Sequence, residues 1–116
     1  MKLITAIVQP FMLTKITHAL EEIERFPGLS ITDVRGFGRE KHEHNVEHRR
    51  AEDIVDFVKK NRIDIVAPDD LVGNIVQTIE RLAHTGNRGD GKIFVSNVET
   101  AVRIRTGERD DAALSR

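Results

Sequence analysis

Two segments with helical apolar spacing, each flanked by strand-like segments, constrain the fold of this chain most strongly. Residues 14–26 place apolar side chains on one face, with Thr14 as the predicted N-cap. Residues 68–83 carry a broader apolar stripe, with Asp69 as the predicted cap. An amphipathic helix buries its stripe against another element, so both segments require a sheet or a helix to pack on.

Four segments are rich in β-branched or alternating residues: 2–9, 29–37, 53–66 and 92–98. We expect the third to bend near residues 59–61, and a further short strand at 102–106 ahead of a tail that is mobile or ligand-dependent. The order βαββαβ predicts an α+β fold of the ferredoxin-like type, an antiparallel sheet with two helices on one face. Small domains of this shape commonly cover the open face of the sheet by association, so we expect an oligomer.

The composition narrows the class of protein. At 116 residues the chain fits a single domain, residues 1–116. A net charge of −1 and the lack of Trp and Tyr indicate no nucleic-acid binding. The lack of Cys excludes disulfides and thiolate metal sites. The apolar start is too short for a signal peptide or a membrane span, so we expect no membrane insertion and a cytoplasmic location.

Residues 85–95 combine three glycines, an Asp and a Lys ahead of a strand. Glycine lets main-chain N–H groups approach a ligand closely, and Lys92 adds a charge suited to phosphate. Arg103 and Arg105 are separated by one residue, so on a strand their guanidinium groups would share a face. Placed on adjacent edges of one sheet, the three cations and the glycine-rich turn predict a site for a polyanion such as a nucleotide. The alternative is a hairpin turn with solvated charges, because the spacing does not match the Walker loop.

Residues 38–53 predict a long exposed loop, because nearly all of them are charged or polar. The loop carries His42, His44 and His48. In an extended chain His42 and His44 face one side, and in a helix His44 and His48 lie one turn apart. Either arrangement offers two imidazoles to Zn, Cu or Ni. The alternative is a solvated recognition loop in which histidine is simply polar.

Seven blocks along nearly the whole chain resemble the PII signal-transduction proteins, the nitrogen regulatory P-II family. The matching blocks are residues 6–11, 34–39, 55–57, 65–70, 85–86, 89–95 and 103–108. The resemblance implies a ferredoxin-like homotrimer that binds ATP or ADP in clefts between subunits. It also implies a regulator that contacts a target protein, such as a transporter or a metabolic enzyme, through its long loop. Nothing in the sequence indicates an activated nucleophile, so we expect no enzymatic activity.

The resemblance also implies which residues form the site. The phosphates would contact Arg39, Gly89, Gly91, Lys92, Arg103 and Arg105. The base and ribose would lie among Ile7, Ser30, Gly36 and Phe37. Lys60 at the base of the loop and Asp90 in the glycine-rich turn complete the predicted cofactor-binding set, although turn chemistry explains Asp90 equally well.

Glu40 departs from the family pattern. Members that sense 2-oxoglutarate usually carry Gln at this position, where the side chain helps to hold magnesium and the keto acid. Glu40 retains an oxygen ligand for Mg, but a second carboxylate repels an anionic acid. Two functions therefore stay open, a nitrogen-regulatory signalling protein and a metal-responsive PII-like protein that does not sense 2-oxoglutarate. The lack of Tyr excludes the uridylylation found in enterobacterial-type relatives.

Overall fold

The computed structural model describes residues 1–37 and 57–115, and in those ranges the chain forms one four-stranded sheet and three helices. The strands are β1 (Lys2–Val8), β2 (Ser30–Gly36), β3 (Val58–Ala67) and β4 (Lys92–Asn97). The helices are α1 (Leu13–Glu21), which follows a 3₁₀ turn at Pro10–Met12, α2 (Asp69–Ala83) and the short α3 (Asp111–Leu114). All strand pairs are antiparallel, in the order β2-β3-β1-β4. The predicted ferredoxin-like α+β fold is confirmed.

The core lies between one face of the sheet and the two longer helices. Every second residue of β1 and of the second half of β3 is buried, as expected for strands with one face on a core. The helices add the buried stripes that the sequence predicts. The largest side chains that are essentially inaccessible to solvent are Ile4, Val8, Ile16, Leu20, Ile63, Ile65, Ile75 and Ile79.

The two edge strands and the second face of the sheet are much more accessible. Most residues of β2 and β4 are exposed, in contrast to the central strands β1 and β3. On the face opposite the core, Phe94 is 56% exposed, and Leu3, Ile7 and Val66 are half-buried. An accessible face of this composition is suited to association with another chain. In the described residues, no helix has both the length and the apolar character needed to cross a bilayer.

The strand register defines two ends of the sheet. At one end, which we call the turn end, Ile7 pairs with Lys92, and Gly36 pairs with Val58. At the other end, which we call the terminal end, Lys2 pairs with both Ala67 and Asn97. The Met1 ammonium lies at the terminal end, 2.8 Å from Asp69 Oδ1.

Both predicted helix caps are wrong. A 3₁₀ turn begins at Pro10, so α1 starts at Leu13 and places Thr14 inside the helix rather than at its cap. Asp69 is the first residue of α2 after Pro68 and makes no capping hydrogen bond. Its carboxylate binds the Met1 ammonium instead. The Met1 ammonium therefore replaces a helix amide as the partner of the Asp69 carboxylate, and it carries a full positive charge.

Two strand predictions also need correction. β3 runs without a break from Val58, with no bend at residues 59–61, because Asn61 is paired with strands on both sides. The predicted strand at 102–106 is wrong, since a single bridge joins Val102 to Arg109 and residues 104–106 form a turn. The tail beyond it is folded and includes α3. The predicted loop at 38–53 lies outside the described residues.

Candidate functional site

The glycine-rich segment at residues 85–91, which we call the glycine turn, packs directly against the end of β1. Gly86, Gly89 and Gly91 all have positive φ, at 91°, 99° and 104°. A Cβ built on Gly91 would lie 1.8 Å from Ile7 O, so no other residue fits this position without displacing the backbone. This close approach holds the turn beside Ile7 and Lys92, which are partners in the β1–β4 ladder.

The Asp90 carboxylate holds the turn together from inside. It accepts hydrogen bonds from Thr85 N at 2.7 Å, Gly86 N at 2.8 Å and Thr85 Oγ1 at 2.5 Å. Gln9 Nε2 donates a fourth, at 3.2 Å, and so joins the turn to the end of β1. The Thr85 hydroxyl, followed by the Thr85 and Gly86 amides, lowers the pKa of Asp90 from 3.8 to about 2. The carboxylate is therefore used within the turn, and its predicted contact with a cofactor stays a prediction.

Lys60 links the turn to the exit of β2. Its Nζ donates to Gly89 O at 2.5 Å, and its Cγ lies 3.9 Å from the position that a Cβ on Gly36 would take. The next residue, Phe37, is 58% exposed and meets the ring of Phe57 edge-on, with the ring centroids 6.0 Å apart. Lys60 therefore lies where the glycine turn, the end of β2 and the start of β3 converge.

A groove of about 330 Å³ opens beside the turn, between it and the second half of α2. Its walls are mostly apolar, with Glu80, His84, Asp90 and Lys92 at the polar positions. Its apolar lining is formed by Ile7, Val8, Val76, Ile79, Ala83 and Ile93. The turn end thus combines a glycine-rich backbone, the cation of Lys92 and a concave apolar surface, which suits a ligand with both anionic and apolar parts.

The two arginines lie on a hairpin, residues 101–110, that we call the arginine hairpin. Arg103 N donates to Glu108 O at 2.9 Å, and Gly107 N donates to Arg103 O at 2.7 Å. Asp110 N donates to Ala101 O at 2.8 Å, and this hydrogen bond closes the hairpin. Because residues 104–106 form a turn, the expectation that the two guanidinium groups share one face of a strand is wrong.

The environments of the two arginines differ. The Arg103 side chain is 25% exposed, and its Nη2 donates to the carbonyls of Ala113 and Ser115 at the end of the chain. The Arg105 side chain is exposed and makes no hydrogen bond or ion pair with residues 1–37 or 57–115. Between them, Ile104 is 97% exposed.

The arginine hairpin lies at the end of the sheet opposite the glycine turn. Val98 N bonds Met1 O, which keeps the chain after β4 at the terminal end. Ser115, which Arg103 contacts, lines a second groove together with Phe26 and Pro68 at that end. Val8 lies six residue steps along β1 from Lys2, which is about 20 Å of strand. One chain therefore does not bring its own arginines to its own Lys92, contrary to the expectation of a single cradle on adjacent sheet edges.

The structure sorts the other predicted residues between the same two ends. Ile7, Gly36, Phe37, Lys60, Gly89, Asp90, Gly91 and Lys92 lie at the turn end. Ser30 is opposite Asp64 on the other half of β2, on the side of the terminal end. The remaining predicted residues, Arg39, Glu40, His42, His44 and His48, lie outside the described residues. Within the described ranges no group of three or more His, Asp or Glu side chains is arranged to hold a metal ion.

Three residues with structural roles at these sites were not singled out from the sequence. Gln9 and Thr85 hold Asp90, and Glu108 Oε1 lies 3.2 Å from Arg103 Nε. Thr85 had a local signal, because threonine and aspartate in a glycine-rich segment favour turns through hydrogen bonds from their side chains. The role of Gln9 has no local signal, since its partner is 81 residues away.

Comparison with known proteins agrees with this architecture. The family model described as nitrogen regulatory protein P-II matches residues 1–108. Nitrogen regulatory protein P-II 1 of Escherichia coli K12 is 52% identical over 114 residues, covering 98% of this chain and all of that protein. Nitrogen regulatory protein P-II of Klebsiella oxytoca is 51% identical, again over 98% of this chain and all of that protein. The protein of that name from Bradyrhizobium diazoefficiens is 52% identical, over 93% of this chain and 95% of its own length. The fold, the full-length match and the level of identity lead to one conclusion, that the chain belongs to the nitrogen regulatory protein P-II family.

Proposed function

We propose that this protein is a cytoplasmic nitrogen-regulatory signalling protein that binds ATP or ADP in a cleft between two copies of the chain. The observation that carries the proposal is the separation of the predicted site onto the two ends of one sheet. The turn end offers the glycine turn and Lys92, and the terminal end offers the arginine hairpin. A second copy whose hairpin meets the turn end would complete the cleft.

The charges of the two halves support a phosphorylated ligand. Lys92 at the turn end is exposed, and Arg105 at the hairpin is exposed and carries a permanent charge. Arginine and lysine on opposite sides of a cleft neutralise a di- or triphosphate better than either does alone. The apolar groove beside the turn would take an uncharged part of the ligand.

The proposed contact between the turn end of one copy and the arginine hairpin of the next is also consistent with a closed ring. It joins one end of a copy to the opposite end of the next, so it is a head-to-tail contact, which either closes into a ring or continues as a filament. A ring of three would bring the accessible sheet faces together and cover Phe94, Leu3 and Ile7. We therefore propose the homotrimer that the family resemblance implies, with one cleft between each pair of neighbours.

The proposed regulation of a target rests on the predicted loop at residues 38–53 and on the place where that segment joins the fold. The chain leaves the described fold after Phe37 and returns at Phe57, beside Gly36 and Lys60. If ATP and ADP contact Lys60 or Lys92 differently, they would favour different conformations of the predicted loop that is attached there. The relatives are named as nitrogen regulatory proteins, and we infer that this chain also regulates a partner protein rather than catalysing a reaction.

Subunit mixing tests the cleft directly. We expect Lys92→Ala and Arg105→Ala to weaken ATP binding by about tenfold or more each, since each removes a charge-assisted contact with phosphate. When the two variants are unfolded together at equal amounts and refolded, about one cleft in four should combine an intact turn from one chain with an intact hairpin from its neighbour. Calorimetric titration with Mg-ATP should then show tight sites at that fraction.

The matched control is a chain that carries both substitutions, mixed with the Lys92→Ala variant. No cleft in that mixture has an intact turn, so no tight sites should return. If the first mixture also shows no recovery, the site is not shared between copies and the proposal is wrong. If the unsubstituted protein does not bind ATP or ADP, nucleotide sensing itself is excluded.

A further inference from the structure

The groove at the terminal end of the molecule is larger than the one beside the glycine turn. Its volume is about 770 Å³, within the range of roughly 300–1,000 Å³ that is usual for ligand pockets. The end of α1 and the residues after it form one wall, and the entry to α2 and the tail form the others. None of its lining residues belongs to the predicted nucleotide site or to the arginine hairpin. The proposed nucleotide cleft therefore makes no use of this groove.

Part of the lining is apolar. Phe26 is 3% exposed and belongs to the core, and Ile23 is partly buried against that core. Leu114 of α3 is half-buried and is contributed by the tail. Pro27 and Pro68 complete the apolar lining. A surface of this kind gains free energy when an apolar side chain of a ligand covers it.

The charged part of the lining is almost entirely acidic. Its carboxylates are those of Glu21, Glu22, Glu24, Asp70 and Asp111, and among the described residues its basic side chain is Arg25. Arg25 Nη2 lies 2.6 Å from Asp70 Oδ2 and neutralises that carboxylate. Of the other four, Glu21, Glu22 and Asp111 make no hydrogen bond or ion pair with another described residue. The groove thus keeps an excess of accessible negative charge.

This charge is a local feature of the groove. The whole chain has a formal net charge of −1, so acidic and basic side chains are nearly balanced elsewhere. Carboxylates gathered in a concave surface reinforce one another's potential and attract a cation. The Arg25–Asp70 pair shows that the wall formed by α2 accepts a guanidinium from the facing wall.

We propose that this groove, which we call the acidic groove, is a docking surface for a basic segment of a partner protein. Arginine or lysine side chains of the segment would pair with the free carboxylates, and an apolar side chain would cover Phe26 and Leu114. The apolar lining favours a peptide over a free polyamine, which offers charge but no side chain to bury. The surface lies at the end of the sheet opposite to Gly36 and Val58, and the proposal does not depend on nucleotide binding.

Fluorescence anisotropy with short labelled peptides tests the chemistry of the occupant. The first peptide has arginines flanking two leucines, the second has serine in place of the leucines, and the third has glutamate in place of the arginines. We expect the first to bind the full chain at least about tenfold more tightly than either of the others, because it alone matches both parts of the lining. Equal binding of the first two peptides, or no binding of the first, would overturn the proposal.

Two matched pairs of variants test the place of binding. Glu24→Lys should weaken binding of the first peptide by about fivefold, since it replaces an attraction by a repulsion. Glu99→Lys makes the same change of charge at an exposed residue outside the groove and should have less than about a twofold effect. Leu114→Ser should also weaken binding by about fivefold, whereas Ala112→Ser, on the exposed side of the same helix, should not. Equal losses within either pair would overturn the proposal.

Arg25→Gly should have the opposite effect, which loss of folding could not produce. Arg25 has a φ of 66°, a conformation that glycine adopts readily, and the substitution frees the Asp70 carboxylate for the peptide. We expect binding to become about threefold tighter. Unchanged or weaker binding would show that the carboxylates of the groove do not take the cations of the peptide, and would overturn the proposal.

Two further measurements separate the other possible occupants. Spermidine should displace the first peptide only at a large excess, and displacement at equal concentration would assign the groove to a free polyamine. Light scattering should give the same mass for Glu24→Lys as for the unsubstituted chain. A smaller mass for the variant would assign the groove to a contact between copies of the chain. Either of these last results would overturn the proposal.

Discussion

The glycine turn and the arginine hairpin, at opposite ends of the sheet, are built with the same local chemistry. In the turn, the Thr85 hydroxyl accepts the amide proton of Asn87 at 3.1 Å and donates to Asp90. In the hairpin, the Thr106 hydroxyl accepts the amide proton of Glu108 at 3.2 Å and donates to the carboxylate of the same residue. Each is a threonine turn closed on a carboxylate.

The two regions differ in what holds the carboxylate. Asp90 also accepts the amide of Gly86 and the side chain of Gln9, so the turn is joined to the end of β1. The carboxylate of Glu108 faces the Arg103 side chain, whose hydrogen bonds go to carbonyls in the tail. One half of the proposed cleft is thus braced by the sheet, and the other half by the end of the chain. We expect the turn to resist local opening more than the hairpin does.

The largest difference should come from the same substitution made in each region. At Gly91 an added Cβ meets Ile7 O at 1.8 Å, and φ is 104°, so Gly91→Ala should cost about 3 kcal/mol or more of unfolding free energy. At Gly107 φ is 78° and the added Cβ has nothing within 4 Å, so Gly107→Ala should cost about 1 kcal/mol. Urea denaturation at one protein concentration measures both, because association shifts apparent stability. Equal costs would mean that the turn does not pack tightly on β1.

The next largest effect is the loss of unfolding free energy when Asp90 is protonated at low pH. The pKa of Asp90 is lowered to about 2 in the folded protein, so the folded state favours its carboxylate. Its contribution to stability is present above the ordinary value of 3.8 and is lost as the pH falls toward about 2. Over this window the unfolding free energy of the wild type should fall more steeply than that of Asp90→Asn. Parallel pH profiles from urea denaturation would contradict the network around Asp90.

A smaller effect is expected from the lysine that supports the turn. Lys60→Met removes the charged donor to Gly89 O and should cost about 1 to 2 kcal/mol. Lys59→Met is the matched control, because Lys59 is the exposed neighbour on the same strand and should change stability by less than about 0.5 kcal/mol. Urea denaturation distinguishes the two variants, and an equal loss in both would argue against a specific role of Lys60.

The smallest changes in unfolding free energy are expected from substitutions of the two threonines, Thr85 and Thr106. Thr85→Val should cost about 1 kcal/mol, because it removes a bond to a carboxylate that the sheet holds in place. Thr106→Val should cost about half as much, because the exposed hairpin can rearrange so that water takes the place of the hydroxyl. Urea denaturation of the two variants gives their unfolding midpoints, and the midpoint of Thr85→Val should be the lower one. The reverse order would mean that the hairpin, and not the turn, is the more rigid region.

Much of the fold could be predicted because its signals are local. The run of apolar and β-branched residues in β1 identifies a strand, and the helical stripe of residues 68–83 identifies both a helix and its buried face. The caps could not be predicted in the same way. Asp69 has the right residue type for a cap, but the Met1 ammonium competes for its carboxylate, and that partner is 68 residues away.

The sequence by itself determined the four strands, the two longer helices with their buried stripes and the residue types of the candidate site, since hydrophobic periodicity and glycine and arginine chemistry act over a few residues. Only the tertiary structure decided that Arg103 and Arg105 lie on a hairpin rather than a strand, because the pairing of Val102 with Arg109 and the contact of Arg103 with the tail outweigh the β propensity of that run. It also decided that the arginines and Lys92 lie at opposite ends of the sheet. The physical reason is the antiparallel register, which sends β4 back along β1 and carries everything after it about 20 Å from the glycine turn.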